Sequence, residues 1–216
     1  MKTVVLSDAH VGSCETDYAG LHAFLVNLDC DRLILAGDFL DLWEADLAKI
    51  RADHADIIAA VNHLAARLPV VYVTGNHDEQ LSAPPFNCPR QAFYELDSAG
   101  RKIMVIHGHE FDTAWWRLVS RPLCLANRWL WKTLGFSYTD VCNDGRAAVV
   151  NLRKKARATY GSRGYGAVIA GHVHAPEHCL PGVNGIEYAN CGDWKKHDSY
   201  VVIEDGRIEL QSITRA

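Results

Sequence analysis

Hydrophobic positions in this chain fall into short β-branched runs separated by stretches of helical periodicity. Residues 3–6, 32–35, 70–74, 102–106 and 167–170 are the runs, each the length of a buried strand. Between the second and third, Leu47, Ile50, Ile57, Ile58, Val61, Leu64 and Leu68 recur near a 3.6-residue period. That spacing predicts one long amphipathic helix ended by Pro69 and covering a sheet face. Toward the C-terminus, residues 185–190, 199–204 and 207–212 leave no room for helices, and Glu204-Asp205-Gly206 signals a hairpin. These last strands predict a second, largely antiparallel sheet. Two sheets packed back to back with helices outside would bury both inner faces. The expectation is α/β, with no internal repeat.

Composition narrows this little. The 216 residues, 49% of them hydrophobic and 22% charged, suit one compact domain spanning 1–216. No apolar run approaches the ~18 residues that cross a bilayer, and the first strand follows Met1-Lys2 directly, which predicts a cytoplasmic protein. Seven scattered cysteines without a C-x-x-C pair read as reduced, mostly buried thiols. The net charge of −4 argues against a surface built wholly for nucleic acid, yet residues 115–163 carry +8 and the remainder −12.

Five of the predicted strands run into side chains that can hold a metal: Ser7-Asp8-Ala9-His10, Gly37-Asp38-Phe39-Leu40-Asp41, Gly75-Asn76-His77-Asp78, His107-Gly108-His109 and Gly171-His172-Val173-His174. Singly, each block reads equally well as a turn. Together they imply one site, because ligands of α/β sheets gather beyond the carboxyl ends of strands. Imidazole, carboxylate and amide donors suit Mn²⁺, Fe or Zn better than Ca²⁺.

In this order the blocks D-x-H, G-D-x-x-D, G-N-H-[DE], H and G-H-x-H resemble the calcineurin-like metallophosphoesterases. The resemblance implies a four-layer α/β/β/α sandwich and two divalent cations, Mn²⁺ favoured. By it, Asp8, His10 and His174 hold one cation, Asn76, His107 and His172 the other, and Asp38 bridges them. His77 would face the substrate phosphate as a catalytic donor, oriented by Asp78. Two dications against two carboxylates leave a local charge near +2 that attracts a phosphate oxyanion, and water between them would lose its proton near neutral pH and attack phosphorus. His109 is expected nearby as a hydrogen-bonding neighbour or a ligand. Asp41 is expected to cap the following helix or hold His10. His22, His54 and His63 read as solvated or packed residues, with His178 and His197 open.

The segment from about 113 to 163 reads as a helical insertion acting as a lid. It joins Trp115, Leu118, Trp129 and Trp131 with Arg117, Arg121, Arg128 and Lys132, and then Arg146, Arg153, Lys154, Lys155 and Arg157. Apolar aromatics beside cations fit greasy chains and a membrane surface; packing helices or a dimer interface are the plain alternative. The blocks at Gly75 to Glu79, at His107-Gly108 with Phe111-Asp112, and at Asn190-Cys191-Gly192-Asp193-Trp194 resemble the UDP-2,3-diacylglucosamine pyrophosphohydrolases, some of which carry Arg where this chain has His77. That resemblance implies release of UMP from a nucleotide-lipid in lipid A synthesis, at the inner membrane face. The alternatives are a hydrolase of soluble nucleotides or nucleic acid, and a non-catalytic scaffold on the same fold.

Overall fold

The computed structural model describes residues 1–113, 122–123, 126, 146–182 and 185–213. Two sheets carry the chain. The first is six-stranded, in the order β11-β10-β1-β2-β3-β4: β1 (Lys2–Leu6), β2 (Arg32–Ala36), β3 (Val70–Val73), β4 (Arg90–Gln91), β10 (Ser199–Glu204) and β11 (Arg207–Ser212). The second is five-stranded, β5-β6-β7-β9-β8: β5 (Tyr94–Ser98), β6 (Arg101–Val105), β7 (Ala167–Ala170), β8 (Glu177–Cys179) and β9 (Glu187–Asn190). Strands β1, β2 and β3 are parallel, as are β6, β7 and β9.

The two-residue alternation of each strand sorts its side chains between layers. Val5, Ile34, Ala36, Ile103, Val105, Ala167 and Ile169 point into the core between the sheets. Their neighbours Val4, Leu6, Leu33 and Leu35 meet helices α1 (Tyr18–Val26), α2 (Leu47–Asp53) and α3 (Ala55–Ala65). On the far side Met104, Ile106, Val168 and Ala170 meet Leu152, Ala156 and Tyr160 of α4 (Arg146–Gly161). This is the expected α/β/β/α layering.

Three expectations are corrected. The hairpin β10–β11 joins the first sheet, where β10 pairs antiparallel with the free edge of β1, Val4 opposite Val202. There Val201, Ile203 and Ile208 fill the inter-sheet core, while β9 lies parallel to β7 in the other sheet. The long helix is two: α2 ends at His54, whose φ of −129° and ψ of 38° are not helical, and whose ring stacks on Tyr18 at 4.0 Å. Asp46 caps the other end of α2 through Lys49 N, while α3 starts at His54 without a side-chain cap. Of the described cysteines, all are free thiols but only Cys191 is buried. The lid's Trp115, Leu118, Trp129 and Trp131, with Arg117, Arg121, Arg128 and Lys132, lie outside the described residues.

Candidate metal centre

Because β1, β2 and β3 run parallel in one sheet and β6 and β7 in the other, the five loops beyond their carboxyl ends meet. Asp8 N donates to Gly37 O at 3.1 Å and His10 N to Asp38 O at 2.9 Å; Gly171 N donates to His107 O at 2.8 Å. The two sheets are joined where His172 N donates to Asp8 Oδ2 at 2.9 Å. Trp194 N closes the cluster from the β9–β10 loop by donating to Asp8 O at 3.1 Å. Asp8, His10, Asp38, His172 and His174 all have positive φ, between 48° and 73°. Such backbone costs on the order of 1 kcal/mol per residue and is kept where side chains must converge.

Glycines let the loops close on the site. A Cβ at Gly37 would lie 2.5 Å from the His107 ring, one at Gly75 2.1 Å from Asp38 Oδ1, and one at Gly171 2.3 Å from Asp8 Oδ2. The glycine ahead of three blocks thus touches a ligand candidate of a different block.

In the first group His10 Nε2 lies 3.1 Å from His174 Nε2, and Asp8 Oδ1 lies 3.2 Å from His174 Nε2 and 3.8 Å from His10 Nε2. Asp8 Oδ1 is buried with no aligned hydrogen-bond donor. His10 Nδ1 is taken by Asp41 Oδ2 at 3.0 Å, so a neutral His10 presents a lone pair at Nε2. In the second group a neutral His107, its Nδ1 donating to Ala36 O at 3.1 Å, presents an Nε2 lone pair 3.2 Å from Asn76 Oδ1 and 3.2 Å from Asp38 Oδ2. Buried ligand atoms this close to one another, with Asp8 Oδ1 left without a donor, fit a cation in each group. His172 completes a cluster with Asp38 and His107 whose ligand atoms lie within 4.8 Å of one another. Its Nε2 is held by both oxygens of Asp112, each at 3.0 Å.

The electrostatics match. Burial opposes the charge on Asp38, yet His107 and His77 hold its carboxyl far below the usual range. Asp8 is likewise depressed against its burial, chiefly by His107 and then by the neighbouring rings of His10 and His174. Burial disfavours a charged His107, but Asp38 and Asp8 outweigh it and raise the ring to about 10.

His77 sits beside this centre, its Nε2 3.9 Å from Asp38 Oδ2 and its ring stacked on Trp43 at 3.8 Å. The carboxylate on His77 Nδ1 is that of Asp41, at 2.9 Å, and not that of Asp78. Asp78 instead accepts from Phe39 N, Tyr72 Oη and Gly75 N, fastening the loops after β2 and β3. Asp41 holds His10, as expected, but caps no helix: its other oxygen accepts from Trp43 N and Glu44 N in a turn, and the cap of α2 is Asp46. Since Asp41 already engages Nδ1 of both rings, His10, Asp41 and His77 form a hydrogen-bonded set. His109 lies at the rim, 5.4 Å from the His107 ring and 3.9 Å from Glu79 Oε2. His178 of β8 bonds Glu187 of β9 at 2.6 Å, and His197 bonds Asp193 within the β9–β10 loop.

Three contacts were not read from the sequence: Asp112 on His172, Asp41 on His77 and Trp43 on His77. Asp112 and Trp43 do stand out in sequence, as a carboxylate and an aromatic just beyond motif blocks.

Layered sheets with carboxylates and imidazoles gathered at strand ends define a class, the metal-dependent phosphoester hydrolases. The chain belongs to the calcineurin-like phosphoesterase superfamily, whose domain is matched over residues 1–209. A UDP-2,3-diacylglucosamine hydrolase of Shewanella pealeana is 24% identical over 241 positions, which cover 97% of this chain and 97% of that protein. Among solved structures, the phosphoesterase Yfce of E. coli superposes with a TM-score of 0.53 at 15% identity, over 99% of this chain and 100% of that one. A single-substitution variant of Vps29 from Entamoeba histolytica gives 0.53 at 15%, over 98% and 97%. These two share the fold.

Proposed function

We propose that the protein hydrolyses the pyrophosphate of UDP-2,3-diacylglucosamine, releasing UMP and a diacylglucosamine 1-phosphate. The facing acceptors Asp8 Oδ1, His10 Nε2 and His174 Nε2 carry the hydrolytic half of this reading. The relative that is 24% identical along 97% of both chains supports the choice of substrate. Two divalent cations are assigned, Mn²⁺ first: one with Asp8, His10 and His174, the other with Asn76, His107 and His172, and Asp38 shared. Bound there, they would supply positive charge to the phosphate oxygens and make water acidic enough to attack phosphorus near neutral pH.

The remaining steps belong to side chains. Asp41 accepts from His77 Nδ1, which turns Nε2 toward the substrate side, beside Asp38. From Nε2 a protonated His77 donates to a phosphoryl or leaving oxygen, and stacking on Trp43 fixes the ring plane. The insertion at 113–163 is assigned as a lid on a single domain. Within α4, Arg153 pairs with Glu177 and Lys155 Nζ donates to Phe111 O, so the exposed Arg146 and Lys154 remain for an anionic headgroup or membrane surface. No helix among the described residues is long and apolar enough to cross a membrane; contact at the cytoplasmic membrane face is part of the proposal.

The test is UMP release from UDP-2,3-diacylglucosamine with added Mn²⁺, wild type against Asp38→Ala. Release by wild type alone is expected. Turnover of a soluble phosphodiester without UMP release would reject the lipid substrate and keep the centre.

A further inference from the structure

We propose that Asp112 is a positioning residue that sets which nitrogen of His172 faces the metal centre, and thereby ties the 3₁₀ turn at His109–Phe111 and helix α4 to that centre. The inference rests on His172 holding a cation. Both Asp112 oxygens lie 3.0 Å from His172 Nε2. A carboxylate only accepts, so Nε2 carries the hydrogen and a neutral ring keeps its lone pair at Nδ1. His172 is already pinned at its main chain, by φ of 73° and by the bond from its N to Asp8 Oδ2. What remains free is rotation of the ring, and Asp112 removes it.

Asp112 is itself held from two directions. Its N donates to His109 O at 3.0 Å, inside a turn that Glu110 closes by accepting from Gly108 N at 2.9 Å. The preceding carbonyl, Phe111 O, accepts from Lys155 Nζ at 2.9 Å, and the Phe111 ring meets Tyr160 edge-on at 6.4 Å. Both partners are on α4, more than forty residues on in sequence. A displacement of α4 or of this turn would reach the ligand ring through one carboxylate. Among the described residues no other side chain is seen on His172 Nε2.

The experiment is calorimetric titration with Mn²⁺ alone, on wild type, Asp112→Ala and Asp112→Asn, with thermal melts of the same samples after chelation. Wild type is expected to bind two Mn²⁺. Asp112→Ala should bind one as wild type does and the other ~10- to 100-fold more weakly, the usual loss for a carboxylate behind a ligating histidine. Asp112→Asn keeps an acceptor oxygen and should lose only several-fold, with an unchanged chelated melt. Two sites of wild-type affinity in Asp112→Ala would overturn the inference and leave the metal assignment standing; no Mn²⁺ bound by wild type would overturn both. Should Asp112→Ala fail to fold, Asp112→Asn decides: weakening confined to one site supports the role, and unchanged affinity overturns it.

Discussion

Asp41 Oδ1 accepts the Nδ1 hydrogen of His77 at 2.9 Å. The carboxylate belongs to the loop after β2 and the imidazole to the loop after β3, so orientation of the substrate-facing ring depends on how two parallel strands stack. An amide at position 41 can accept at one atom only, and it presents a donor to the other ring. Asp41→Asn is therefore expected to lower kcat about 10²-fold, the lower range for a displaced acid–base group, with little change in KM. Steady-state kinetics at saturating Mn²⁺ checks this; near-wild-type kcat would remove Asp41 from the catalytic account.

Asp78 should behave differently. Its oxygens accept from two main-chain amides and the Tyr72 hydroxyl, and burial, with the Asp38 carboxylate next in effect, pushes its carboxyl up to about 7. Asp78→Ala strands those donors at about 1 kcal/mol or more each, about 3 kcal/mol together. For a chain of this length that lowers Tm by roughly 6–12 °C. Thermal melts test this, and loss of turnover without loss of stability would restore Asp78 to a catalytic role.

The layers and the site's location were legible because both follow from local pattern. Alternation in β1, β2, β6 and β7 sorts Val4 from Val5 and Ile103 from Met104, and the motif blocks follow those strands directly. The sheet partner of β10 was not legible. Val201 and Ile203 would bury equally well in either sheet, and the choice falls to the β9–β10 loop, whose Trp194 N bonds Asp8 O. The helix break at His54 escaped for a related reason, since Ile50 and Ile57 keep the same apolar face across it. Among the polar contacts, adjacency misled: Asp78 neighbours His77 in sequence, while Asp41 reaches it in space.

Gly171 has no room for a methyl group. A Cβ there would fall 1.9 Å from Ser7 Oγ and 2.3 Å from Asp8 Oδ2, neither on a flexible arm, since Ser7 and Asp8 are fully buried. Gly171→Ala must push Asp8 away from His10 and His174. Overpacking of this kind costs ~1–3 kcal/mol. The expected result is a folded protein with weakened binding of Mn²⁺ and turnover reduced at least tenfold; wild-type metal content by elemental analysis would show that Asp8 is not held this way.

Protons and cations compete at His107. Its ordinary value is 6.5; burial works against the charged ring, but Asp38 and Asp8 raise it to about 10. A folded-state value above the unfolded one gives stability that is full below ~6.5 and lost as pH climbs through about 10. Asp38 is depressed, so its part is present above its unfolded value of 3.8 and lost on acidification. Protein stripped by a chelator should therefore melt at lower temperature at pH 9–10 than at pH 6. A dication on the same nitrogen must displace that proton, so Mn²⁺ uptake near pH 7 should release about one proton per protein and tighten as pH rises. Calorimetry in two buffers of different ionisation enthalpy measures the release directly. Identical heats in both buffers would mean that His107 is already neutral before the ion arrives, or that it is no ligand.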